Sequence, residues 1–149
     1  MPYYEDFEVG QKFISPSRTI TDGMATMLID IGGFTAPQFN DEISAKKTPL
    51  GWRALPGRMI FALMGGLVER MGILHSPGPG ILVGADKLKW KAPLRVGDTI
   101  YLEFETTEMR KTSNPKWGLV KDKEILKNQK GEVICEVEIT HLYTYRPKQ

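Results

Sequence analysis

The chain has 149 residues, 41% hydrophobic and 26% charged, close to the globular average and long enough to bury a core without staples. Lys and Arg number 20 against 18 Asp and Glu, a formal net charge of +2 that gives no electrostatic footprint for a nucleic-acid partner. Cys135 is the one cysteine, which excludes an intramolecular disulfide and favours a reducing compartment. No apolar run has the length of a membrane span, and Met1–Asp6 does not read as a signal peptide. The expectation is a cytoplasmic protein without a membrane partner. Without repeats, low-complexity tracts or linkers, residues 1–149 read as one domain.

Residues 11–20 read as extended, with Phe13, Ile14 and Ile20 apolar and Pro16 interrupting the run. Thr21-Asp22 is a helix start, because a side-chain oxygen there accepts from free amides of the first turn. Met24, Met27, Leu28 and Ile31 recur at helical spacing and predict the buried stripe, and Gly32-Gly33 ends the helix. Residues 34–56 are rich in turn formers and predict an irregular stretch, of the kind that often carries function.

Residues 57–72 predict the central helix. Ile60, Leu63, Met64, Leu67 and Met71 form a stripe, but Met59, Phe61, Ala62 and Val68 are apolar too, so the helix should be wrapped, most simply by a curved sheet. Gly65-Gly66 costs helix propensity and suggests close approach of a sheet or a partner chain. Strands are predicted over 81–91, 98–110, 117–127 and 132–145, the second and fourth with strict alternation, and Asn128–Gly131 reads as a hairpin turn. The sum is an α+β domain in which a curved antiparallel sheet wraps a long central helix.

That architecture resembles the hotdog fold, and the local sequence is similar to the MaoC-like hydratases and dehydratases. The similarity lies in Tyr4–Gln11, in Arg18–Asp22 leading into the first helix, and in Lys89–Ile100, where an aromatic precedes Pro93 and then Gly97-Asp98-Thr99. The resemblance implies an acyl thioester of coenzyme A or acyl carrier protein as substrate, and addition or removal of water at a 2,3-double bond. It implies no cofactor. The family uses an Asp and a His after the first helix, one group deprotonating water while a proton reaches the alpha carbon. Here the matching segment runs Gly33–Glu42. Anchored on Pro37 and Asp41-Glu42, it puts Phe34 at the Asp position and Phe39 at the His position, and neither exchanges a proton. Pro56 and Gly57 match the helix start at which the family offers a backbone amide to the thioester oxygen.

Phe34 and Phe39 therefore either line an apolar acyl pocket or fill the core. Asp30, Asp41 and Glu42 are the nearest carboxylates. Asp30, on the first helix, is the candidate substitute base if buried, whereas a solvated or capping role suits the others. Thr35, Gln38 and Asn40 are explained by turn chemistry. His75 lies in a Pro/Gly loop, and His141 continues the apolar face of the last strand as a hydrogen-bonded core histidine. With one distant cysteine these predict no metal site. Cys135 reads as a small core residue. Arg110, Lys111 and Lys116, around the turn at 112–115, either hold the phosphates of coenzyme A or cap a solvated hairpin. Lys121–Lys130, with Asp122 and Glu124, reads as an exposed strand face. An open sheet edge predicts a homo-oligomer, most simply a dimer. Three functional readings follow: an acyl-CoA hydratase/dehydratase-like protein lacking the usual Asp/His pair, a non-catalytic pocket-forming subunit paired with a catalytic hotdog partner, and a thioesterase-like enzyme using the Gly57 amide.

Overall fold

The computed structural model describes residues 3–72 and 80–147. His75 and the loop around it lie outside the described residues. After a short 3-10 turn at Tyr4–Asp6, the elements are β1 (Lys12–Ile14), β2 (Arg18–Thr19), α1 (Asp22–Ile31), α2 (Pro37–Asn40), α3 (Glu42–Lys46), α4 (Gly57–Arg70), β3 (Gly80–Trp90), β4 (Thr99–Lys111), β5 (Trp117–Asn128) and β6 (Val133–Thr144). The strands form one antiparallel sheet in the order β1-β4-β5-β6-β3, with β2 also paired to β4.

The expected arrangement holds: an α+β fold with the sheet curved about α4. Ile60, Leu63, Met64, Leu67 and Val68 of α4 enter the core with Ile100, Leu102 and Phe104 of β4, Val120 and Leu126 of β5, and Ile134, Cys135, Val137 and Ile139 of β6. Each large side chain so buried contributes about 1.5–3 kcal/mol of transfer free energy. Cys135 is buried, and burial pushes its thiol up to about 11, far from a reactive thiolate. The Asn128–Gly131 turn forms as expected. The Asn128 side-chain oxygen accepts from the amides of Lys130 and Glu132 at 3.0 and 3.1 Å, and Gly131 supplies the positive φ.

Three expectations are corrected. The inward face of α1 is Ala25 and Ile29, with Met24 and Leu28 packed beside them, while Met27 (62%) and Ile31 (75%) are exposed. Both stripes have helical spacing, and only docking on the core chooses between them. The irregular stretch contains α2 and α3. Pro37 starts the first of these, and Asp41 caps the second by accepting from the amides of Ile43 and Ser44 at 2.8 and 3.2 Å. Lastly, α4 is not wrapped all round. Ala62, Gly65 and Gly66 are exposed, and a Cβ on either glycine would meet nothing within 4 Å. The two glycines leave space rather than admitting a strand of this chain.

Candidate functional site

Two places on the inner side of the sheet combine a cavity with chemistry. The first is the N-terminus of α4. Pro56, extended at φ −57° and ψ 132°, precedes the helix, and its carbonyl accepts from the amides of Met59 and Ile60 at 2.9 and 3.3 Å. Proline has no N–H to offer, whereas Gly57 keeps one, and among the described residues nothing accepts from it. The Trp90 indole N–H donates to the Gly57 carbonyl at 2.8 Å. An alanine Cβ at 57 would sit 3.1 Å from that indole nitrogen, so glycine is what lets the ring close over the helix end. Leu55, Gly57, Ile60, Trp90, Lys91, Ala92 and Pro93 line a cavity of about 340 Å³.

The approach to this helix start is pinned. The Leu55 amide donates to the Leu94 carbonyl at 2.9 Å, and Ala54 bridges to Arg95. Arg53, nearly buried, pairs with Asp22 of α1 and lies 3.6 Å from Glu42 of α3. It joins the first helices to the segment that feeds α4. Nothing in the sequence singles out Arg53, since one arginine in a turn-rich stretch carries no signal of its partners.

Phe34 and Phe39 are brought together. Their rings meet edge to face with centroids 6.1 Å apart, both half-buried. A Cβ at Gly32 would collide with the Phe34 ring, so the glycine ending α1 seats that aromatic. The Asn40 side-chain amide donates to the carbonyls of Phe34 and Ala36 at 3.0 and 3.2 Å, which bears out turn chemistry for this asparagine. Asp41 is the expected cap, and the Ser44 hydroxyl with the Ile43 amide holds its carboxyl below the usual range. Asp30 is exposed on α1 and lacks the burial on which a substitute base depends.

The second place corrects the reading of β5. Val120, Asp122, Glu124, Leu126 and Asn128 face the core, and the lysines at 121, 123 and 127 alternate outward. Asp122 is 0% and Glu124 3% exposed. The strand's own alternation held that signal, because Val120 and Leu126 bracket the two carboxylates on one face. Cross-strand pairing then sets Thr106 opposite Asp122, and the threonine hydroxyl donates to the carboxylate at 3.0 Å. His141, opposite Val120 on β6, brings Nδ1 to 3.7 Å from Asp122 Oδ2. That is too long for a hydrogen bond, and both atoms lack a partner, so the expected hydrogen bond of this histidine is not formed at Nδ1.

Burial raises the Asp122 carboxyl, partly offset by the imidazole and the Thr106 hydroxyl. Burial, reinforced by the Asp122 charge, pushes Glu124 up to about 8. Burial and the same two carboxylates raise the Tyr143 phenol. A cavity of about 440 Å³ opens here between α4 (Phe61, Ala62, Gly65, Val68, Glu69), β3 (Gly80, Leu82), Glu124, Ile139 and His141.

Arg110, Lys111 and Lys116 sit exposed at the far end of the sheet. Arg110 pairs with Glu108 at 3.3 Å, and the Lys116 ammonium lies over the Trp117 ring. Trp90 pairs with Cys135 and Trp117 with Thr144, nine residues along β6, or about 30 Å of strand. The structure does not bring these cations to Gly57 of the same chain.

A curved antiparallel sheet about one long helix is the architecture of the hotdog class. The comparisons agree: residues 9–137 match the model of the FAS1-like dehydratase domain region, and the chain belongs to that family. It is 30% identical to a 3-hydroxybutyryl-CoA dehydratase of Methylorubrum extorquens over 72% of its own length and 65% of that protein's, so the match spans just under two thirds of that relative. It is 28% identical to an (R)-specific enoyl-CoA hydratase of Rhodospirillum rubrum over 93% of this chain and 89% of the other. Among solved structures, the MaoC-like dehydratase of R. rubrum superposes with a TM-score of 0.83 at 25% identity, covering 99% of this chain and all of the other. At the family level the likeness is thus to hydratases and dehydratases of acyl-CoA. Among the described residues, no helix is long and apolar enough to cross a membrane.

Proposed function

We propose that this protein binds acyl thioesters of coenzyme A with the thioester oxygen on the Gly57 amide, and that it lacks hydratase turnover of its own. The observation that carries the reading is the unpaired Gly57 N–H at the foot of a 14-residue helix, beside an apolar cavity roofed by Trp90. A helix N-terminus favours an oxygen bearing partial negative charge. The resemblance puts Phe34 and Phe39 at the positions of the proton-exchanging pair, and a phenylalanine exchanges no proton. The protein is then hydratase-like in binding and atypical in chemistry, a role suited to a pocket-forming subunit that completes a catalytic partner.

Glu124 and His141 do not replace the missing pair. They line the second cavity, which shares no lining residue with the cavity at Gly57.

The assembly expected from the open edge is a dimer through β3, which pairs only with β6 among the described residues and exposes Ile81, Leu82 and Val83. The functional test is titration of the full chain with butyryl-CoA and crotonyl-CoA in a calorimeter, with the ultraviolet band of the enoyl thioester followed in parallel. Binding without loss of the band is the expected result. Loss of the band shows that another group moves the proton, and failure to bind either ligand removes the reading.

A further inference from the structure

Glu124 is the most unusual side chain of the second cavity. It is 3% exposed, lines the space, and no group among the described residues hydrogen-bonds its carboxyl. Its oxygens are not among the buried atoms left without a partner: they open onto the cavity, where a polar group of a ligand can reach them. The remaining walls are mostly apolar: Phe61, Ala62, Val68, Leu82 and Ile139. The titratable groups lining this space are Glu69 of α4, Glu124 of β5 and His141 of β6, and the buried Asp122 lies beside His141. No lysine or arginine is among its described lining residues, so a carboxylate ligand is disfavoured.

The two cavities share a flank of the molecule. Gly57, Phe61 and Gly65 follow one another at spacings of four on α4, and β3 supplies Trp90 to the first cavity and Leu82 to the second. We propose that the acyl chain of a bound thioester runs along this flank from Gly57 and ends in a hydroxyl held by the Glu124 carboxyl. The preferred ligand is then an acyl-CoA of about ten carbons hydroxylated at its far end, because a chain of that length matches the helix rise from Gly57 to Gly65. A hydroxyl both donates and accepts, so it satisfies a carboxyl in either protonation state. This inference rests on the thioester reading above.

The test is calorimetry on the full chain with butyryl-CoA, decanoyl-CoA, 10-hydroxydecanoyl-CoA and the mono-CoA thioester of decanedioic acid. The hydroxylated ligand should bind about tenfold tighter than decanoyl-CoA, the effect of one satisfied buried polar group, and the dicarboxylic thioester no tighter than decanoyl-CoA. Glu124→Leu should bring the hydroxyl preference down to about one, and Glu124→Gln, which still hydrogen-bonds, should restore part of it. Gly65→Met grows into open space, and it should weaken both ten-carbon ligands about tenfold while the thermal transition is retained.

Equal binding of decanoyl-CoA and 10-hydroxydecanoyl-CoA overturns the inference, as does a hydroxyl preference that survives Glu124→Leu. Binding of butyryl-CoA without any ten-carbon ligand overturns it and leaves the thioester reading standing. Absence of binding by all four removes both.

Discussion

The two ends of α4 are built on opposite principles. At its start the useful group is a backbone amide, placed by Pro56, freed by the helix geometry and covered by Trp90. Toward its other end the chemistry belongs to side chains, with Asp122, Glu124 and His141 gathered from two strands under a helix face stripped to Ala62 and Gly65. Lys91 is the one ionisable residue lining the first cavity, whereas at the second end burial raises the carboxyls of Asp122 and Glu124. A backbone site survives wide changes of side chain and so stays recognisable. A side-chain site depends on which residues the sheet register brings opposite one another.

The contrast breaks most sharply under pH. In the folded protein Glu124 holds its proton to about 8, against 4.5 for a free glutamate. Between those values the unfolded chain binds fewer protons at this residue than the folded one. Stability from this group is therefore fully present below about 4.5 and is lost as pH rises to about 8. At about 1.4 kcal/mol per unit, the loss is on the order of several kcal/mol. Asp122, also raised by burial, acts in the same direction. Denaturant midpoints from pH 5 to 9 should fall in the wild type and fall much less in Glu124→Gln.

The backbone end is tested by removing only its N–H. Gly57→Pro places proline at the first helical position, where it is tolerated, after a residue already in the extended conformation that proline requires. Gly57→Ala keeps the N–H and presents the same crowding against Trp90. Acyl-CoA affinity should fall about tenfold or more in the proline variant relative to the alanine one.

The β3 edge flanks both ends. Val83→Lys puts a charge on the open strand and should weaken self-association about tenfold, read by sedimentation velocity across a dilution series. Stable dimers in that variant would place the interface elsewhere. The smallest effects are expected at Asp30→Asn and Arg110→Ala, which should leave acyl-CoA affinity within about twofold, as exposed residues away from both cavities. A larger loss at Arg110 would mean that the cations of one chain reach the site of another.

Local chemistry wrote much of this fold into the sequence. Thr21 accepts from the Met24 amide as a helix cap, Pro56-Gly57 opens α4, Asn128–Gly131 turns the last hairpin, and the alternation in β4 and β6 buries Ile100, Leu102, Cys135 and Val137. These depend on neighbours a few residues away, and a linear reading holds such neighbours together.

Tertiary structure decided the rest. Two stripes of α1 had helical spacing, and docking buried Ala25 and Ile29 rather than Met27 and Ile31. The β4–β5–β6 register set Thr106 against Asp122 and His141 against Val120, turning a charged stretch into a buried polar cluster. The length of β6 carried Arg110 and Lys116 far from Gly57. The physical reason is that propensity and periodicity are properties of consecutive residues, whereas burial, proton affinity and the walls of a cavity depend on residues tens of positions apart that only the folded sheet brings into contact.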